Sequence, residues 1–245
     1  STISSIYDPI GLASPFLLRG RKILQRITSL KDGWDSEVPR DLADLWRAWR
    51  QGLPRLEELS VDRCYRPKDF GEVRQHSLHL FSDASEIGYG VASYLRQVDI
   101  KGQIHVAMLF GKSRVTPTKS ITIPRLELTA ATVSVKIGAM LKDELSLSKL
   151  QQHYWTDSQI ALGYISNETR RFRIFVANRT AKIRSYTTKE QWHYVDTGEN
   201  PADYASRGLT IEEDEGVCQW LNGPSFLWQR QVDKRSGEEL VFPVP

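Results

Sequence analysis

Residues 78–85 read LHLFSDAS, and residues 153–162 read HYWTDSQIAL. In each stretch a short apolar run ends on an aspartate, Asp83 in the first and Asp157 in the second, with small or polar residues following at once. Leu78, Leu80 and Phe81 before Asp83, and Tyr154 and Trp155 before Asp157, predict two strands that each deliver a carboxylate at their end. Two further acids have a different setting. Glu127 in IPRLELTAA (123–131) and Asp203 in NPADYASRG (200–208) stand in the first turns of predicted helices. Carboxylates supplied by four separate elements predict an α/β fold that gathers them at one place.

Taken singly, each acid has an ordinary explanation among the 30 acidic residues of the chain, as a solvated charge or a helix cap. Asn200 is a good N-cap, Pro201 fits the first helical position and an acid two residues later favours the helix dipole, so capping alone accounts for Asp203. Taken together, the four suit two divalent cations. Phosphodiester hydrolysis by a pair of metal ions uses one ion to generate hydroxide and the other to stabilise the leaving oxygen, and Mg²⁺ prefers hard oxygen ligands while keeping several waters. Without metal, the four charges oppose one another's ionisation as a coupled set.

Outward from these stretches, YGVASYLR (89–96) and QIHVAMLFGKSR (103–114) read as strands that join 78–83 in an antiparallel meander. Leu126, Ala130, Val133, Ile137 and Leu141 recur at helical spacing from Pro124 to Leu145. A strand over 152–157, a short helix through Ala161, a basic helix over 169–185, a strand over 191–196 and the helix opened by Asn200 complete a mixed sheet of order βββαβαβα flanked by helices. Residues 1–70 read as a small, mainly helical unit. One helix starts near Ser14 and Pro15, with Ser14 as the cap. A second runs from Pro39 to Trp49, with Leu42, Leu45, Trp46 and Trp49 in one stripe. Trp34, Trp46 and Trp49 are expected to pack rather than to stack on bases.

These residues carry a resemblance. The order Asp83, Glu127, Asp157, Asp203, with LFSDAS, LEL, WTDS and NPAD in those settings, resembles the ribonuclease H domain of retroelement polyproteins. YDPIGLASPFLLRGRKILQ (7–25), PRLELTAA (124–131), FVANR (175–179), NPADYASRG (200–208) and WLNGPSFL (220–227) are similar to the Bel/Pao class of LTR retrotransposons. The resemblance implies a ribonuclease H-like domain over 71–208, a reverse-transcriptase thumb or connection remnant over 1–70, and a C-terminal extension toward the integrase over 209–245.

It further implies cleavage of the RNA strand of RNA:DNA hybrids by two Mg²⁺ ions, with Mn²⁺ as a substitute. Asp83 would bridge the ions, Glu127 and Asp157 would complete the ion on the leaving-group side, and Asp203 would hold the ion that activates water. The implied partners are the hybrid and the rest of the polyprotein, and the implied setting is intracellular, in a cytoplasmic virus-like particle or the nucleus. A non-catalytic module that grips hybrid or a partner subunit is the alternative. One departure stands out. The loop TGENPAD lacks the His that many ribonucleases H carry there; His193 lies inside a predicted strand, and Glu199 is the nearest stand-in.

The overall charge of +3 does not by itself announce a nucleic-acid binder. Its distribution is more telling: between residues 166 and 189 seven basic residues face one acid, Glu168, which leaves the rest of the chain net negative. Arg170, Arg171 and Arg173 are expected to contact the hybrid from the basic helix while Phe172, Val176 and Ile183 pack inward, a solvated basic face being the plain alternative. Ser85 and Ser158, beside the carboxylates, are candidates for substrate hydrogen bonds or for turns. Cys64 and Cys218 read as free thiols, and no apolar run reaches the length of a membrane span.

Overall fold

The computed structural model describes residues 2–30, 33, 36–147, 149–210 and 212–230. Trp34 and residues 231–245 of the expected C-terminal extension lie outside them. The body is a five-stranded sheet built from β1 (Val73–Ala84), β2 (Gly88–Asp99), β3 (Ile104–Val115), β4 (Gln151–Thr156) and β5 (Trp192–Tyr194), in the order β3-β2-β1-β4-β5. β1, β2 and β3 form an antiparallel meander, whereas β4 runs parallel to β1 and β5 parallel to β4. This is the mixed sheet expected from the sequence.

Strand alternation divides the core into two layers. Leu78 and Leu80 of β1, Val91 and Leu95 of β2 and Tyr154 of β4 are buried on one face. Leu128, Ala131 and Val135 of helix α4 (Ile123–Leu145) cover them. Phe81, Tyr94 and Trp155 are buried on the other face, against Trp220, Phe226 and Leu227. A strand buried on both faces reads as a near-continuous apolar run, which is the pattern of 78–81. Full burial of side chains such as Leu78 and Leu80 contributes about 1.5–3 kcal/mol each.

Helices α1 (Thr2–Ser5), α2 (Ser14–Ser29) and α3 (Arg40–Gly52) precede the sheet, and a 3₁₀ turn (Leu53–Glu58) follows α3. Leu17 and Leu18 of α2 are buried, and Phe16 shares the core layer of Phe81 and Trp155. The YDPIGL stretch docks the chain onto the edge strand β3. The Gly111 amide donates to Ile10 O at 2.8 Å, which caps part of an otherwise open edge. Gly11, at φ +77°, lies so close to Gly111 that a Cβ would sit 1.8 Å from its carbonyl oxygen. Trp49 of α3 lies over Gly20 of α2 and donates to Phe16 O at 2.9 Å. Trp46 and Trp49 pack on each other at 4.9 Å.

Several local expectations are corrected. Ser14 is the first helical residue of α2 and does not cap it; Ala13 takes the cap position, and its amide bonds to Asp8 Oδ2 at 3.1 Å. The basic helix starts later than expected, as α6 (Ile174–Arg184), so Arg170 and Arg171 lie on the loop before it and Arg173 at its cap. Asn167 ends α5 (Gln159–Ser166) and turns the chain, its Oδ1 accepting from the Thr169 and Arg170 amides at 3.2 and 2.9 Å. Phe172, Val176 and Ile183 do face the core. Asp214 and Glu215 form the first turn of α8 (Asp214–Asn222), where their charges favour the helix dipole. Trp220 of α8, with Phe226 and Leu227 after it, folds back onto the sheet. Both cysteines are free and exposed. Among the described residues no helix is long and apolar enough to cross a membrane.

Candidate active site

The parallel pairing of β1 and β4 sets the site. Phe81 is level with Trp155, so two residues further along each strand Asp83 and Asp157 emerge side by side, from backbones about 4.8 Å apart. Helix α7 (Ala202–Arg207) brings Asp203 across the sheet end. Its close approach depends on Gly90, the cross-strand partner of Asp83, where a Cβ would lie 2.4 Å from the Ala205 Cβ. Glu127 comes from the second turn of α4, on the opposite side of the sheet.

Each carboxylate is held. Ser206 of α7 donates to Asp83 Oδ2. Thr197 donates to Asp157 Oδ2 at 2.8 Å, and the Asn200 amide reaches Asp157 Oδ1 at 3.4 Å and Ser82 O at 3.3 Å. Asn200 is not the cap of α7 expected from the sequence, since Pro201 takes that position; its Oδ1 accepts from the amide of Ala202, the first helical residue, at 3.2 Å, so one side chain ties the start of α7 to Asp157. Ser158 donates to Glu127 Oε2 at 2.7 Å while accepting from the Ala161 amide to cap α5. Arg207 donates to Asp203 Oδ1 at 2.5 Å. The Ser85 hydroxyl is used in its own turn, donating to Ser206 O at 2.7 Å and accepting from the Ile87 amide.

The electrostatics tie the four acids together. Asp83 is 5 % exposed, and burial followed by the Asp157 charge pushes its pKa up to about 7, against the Ser206 hydrogen bond; Asp203 raises it further. Burial raises Glu127 above the usual carboxylate range, with Ser158 opposing and Asp157 adding. Burial also raises Asp203, against its pairing with Arg207, and Asp157 adds. Asp157 is thus felt by the other three. The Arg207 guanidinium is held charged by Asp203 first, and by Asp83 and Asp157 from further away.

Among the described residues no three His, Cys, Asp or Glu side chains are drawn together as a finished metal cage. The donor set nevertheless fits a hard divalent cation: it is all oxygen, partly buried and mutually repulsive, and it is held open by Ser206, Thr197 and Arg207 rather than by a buried counter-ion. His193 is buried in β5, with His153 Nδ1 at 3.1 Å from its Nε2, and takes no place in this cluster. Thr197, Ser206, Arg207 and Gly90 are partners that sequence reasoning missed. Only Arg207 left a local signal, its i,i+4 spacing from Asp203.

A family model described as "Pao retrotransposon-like RNaseH-like domain" matches residues 1–158. No match was found among curated proteins. Solved structures similar to this chain include an N-terminal RNase H domain from Mycobacterium tuberculosis, at 9 % identity, covering 53 % of this chain and 95 % of that one, with a TM-score of 0.35. Another is RNase H1 from Halobacterium salinarum, at 12 % identity, 58 % and 96 % coverage and a TM-score of 0.35. The foamy viral protease-reverse transcriptase in complex with double-stranded DNA matches at 13 % identity, 81 % and 34 % coverage and a TM-score of 0.35.

Proposed function

The chain belongs to the Pao retrotransposon-like RNaseH-like family, and on that premise we propose that it is a ribonuclease H, a metal-dependent endonuclease that cuts the RNA strand of RNA:DNA hybrids during retroelement reverse transcription. The observation that carries the reading is the coupling of Asp83, Glu127, Asp157 and Asp203, three of which burial and like charge press toward the neutral form. Two Mg²⁺ ions, or Mn²⁺ in their place, would be held by these four carboxylates and would supply an activated water and charge stabilisation at the departing oxygen. The chain's own residues do the positioning. Thr197 and Asn200 orient Asp157, Ser206 orients Asp83, and Ser158 orients Glu127.

Arg207 supplies a positive charge beside Asp203 and would be available to a phosphate oxygen of the substrate. Arg170, Arg171 and Arg173, on the loop before α6, would meet the phosphate backbone at a distance from the cut. Residues 1–70 would be the reverse-transcriptase thumb or connection portion, and the rest of that polyprotein the partner.

Substrate comparison tests the proposal. With Mg²⁺, an RNA:DNA hybrid should be cut in its RNA strand to leave 3′ hydroxyl and 5′ phosphate ends, while double-stranded DNA and double-stranded RNA stay intact. Equal cutting of all three would overturn the hybrid specificity.

A further inference from the structure

On the α4 side of the sheet, two arginines share one aromatic ring. The Arg179 guanidinium carbon lies 3.4 Å from the centre of the Phe175 ring and that of Arg125 lies 5.2 Å from it. Arg179 is fixed in place: its Nε donates to Thr129 Oγ1 at 3.0 Å and its Nη1 to Phe175 O at 3.3 Å. Thr129 is in turn anchored to Arg125 O at 2.7 Å. Among the described residues neither guanidinium has a carboxylate partner.

Two cations sharing one ring, one of them half-buried, oppose each other, and no carboxylate among the described residues pairs with either to offset the cost. A bound anion would. A guanidinium fork matches two oxygens of a phosphate, and stacking fixes its plane in advance, so little rotamer freedom is lost on contact. The location suits a strand that also crosses the carboxylates. Arg125 stands two residues before Glu127 on α4.

We propose that Arg125 and Arg179, set on Phe175, form a binding site for a phosphodiester of the nucleic-acid strand that lies across the carboxylates. The site rests on the nuclease reading for its ligand. It is separate from the exposed arginines at 170–173.

The test is binding of a fluorescein-labelled 18-base-pair RNA:DNA hybrid in EDTA, followed by anisotropy over a salt series, for the parent, Arg125→Gln, Arg179→Gln, Arg179→Lys and Lys101→Gln, an exposed charge at the far end of β2. Each Arg→Gln variant is expected to bind roughly 5- to 10-fold more weakly near 0.1 M salt and to lower the slope of log K against log salt by about 1. Arg179→Lys should keep the slope and lose affinity, because the charge stays while the planar fork goes. Lys101→Gln should match the parent. If Arg179→Gln melts early, Arg125→Gln and Arg179→Lys carry the result, since Arg125 is exposed and Arg179→Lys keeps the charge. Unchanged slopes in the arginine variants, an equal loss in Lys101→Gln, or no binding by the parent would each overturn the site. Arginine-dependent binding by a parent that leaves the RNA whole in Mg²⁺ or Mn²⁺ would sink the nuclease reading and leave the site standing.

Discussion

Replacing Asp83 with Asn should stabilise the metal-free protein while removing its activity. Asp83 is buried and its pKa is pushed up to about 7, against 3.8 for the free side chain. Because the folded-state value is the higher one, a neutral Asp83 carries no penalty below about pH 4; the penalty builds as pH rises toward 7 and is complete above it. At 1.36 kcal/mol per pKa unit, the ceiling above pH 7 is about 4 kcal/mol, falling to about 1 kcal/mol by pH 4.5. Asn has nearly the same shape and still offers an oxygen to Ser206, so the exchange removes the charge with little repacking.

In a protein of this size 1 kcal/mol moves Tm by roughly 2–4 °C. Thermal unfolding in EDTA at pH 8 should therefore place Asp83→Asn above the parent, by at most ~8–16 °C, with the gap shrinking toward pH 4.5. Added Mg²⁺ should raise the parent by about 2.7 kcal/mol when present at 100 times its dissociation constant, and raise Asp83→Asn much less. A variant that melts at or below the parent at pH 8, or a gap that does not shrink on acidification, would refute the reasoning.

Other perturbations probe the frame around the site. Gly90→Ala sets a methyl group against Ala205 and Lys112 O; it should cost about 1–3 kcal/mol in urea unfolding and lower hybrid cleavage by displacing α7 and Asp203. Asn200→Ala removes the bond to the Ala202 amide at the start of α7 and one support of Asp157; a stability loss of about 1 kcal/mol should come with a larger fall in kcat than in substrate affinity, measured by steady-state cleavage. Trp220→Ala empties a fully buried position whose indole also donates to Leu12 O at 2.8 Å; the loss should reach about 3–5 kcal/mol by chemical denaturation, as expected if α8 belongs to the same core as β1 and α2.

Much of this fold was legible because the strands and the long helix over 124–145 announced themselves by periodicity. LHLFSD and HYWTD carry large apolar residues at Leu78, Leu80, Phe81, Tyr154 and Trp155, and β1 and β4 are buried over these stretches. The helix over 124–145 appeared at its expected place, since Pro124 starts it and a continuous stripe of Leu and Ala faces the sheet. The boundary at 169–174 was not legible, because basic residues suit either a helix or a loop; a single side chain, Asn167, decides in favour of the loop by bonding two amides. Ser14 was misread for a related reason: the bond from the Ala13 amide to Asp8 moves the cap one residue earlier.

At the site, the four acids could be chosen from local context, whereas their supports could not. Ser206 meets Asp83 across 123 positions of chain and Thr197 meets Asp157 across 40, contacts that only the packing of α7 creates. Gly90 is informative only once it is known to lie opposite Asp83. The paired arginines on Phe175 likewise needed α4 and α6 side by side before FVANR could be connected with PRLEL.

The most direct measurement is cleavage of an end-labelled RNA:DNA hybrid in Mg²⁺ and in Mn²⁺ by the parent, Asp83→Asn and Asp157→Asn, with binding of the same hybrid measured alongside. The account predicts that the parent alone cuts the RNA strand while both variants still bind. Binding without cutting by all three proteins in either metal, or cutting that survives Asp83→Asn, would contradict it.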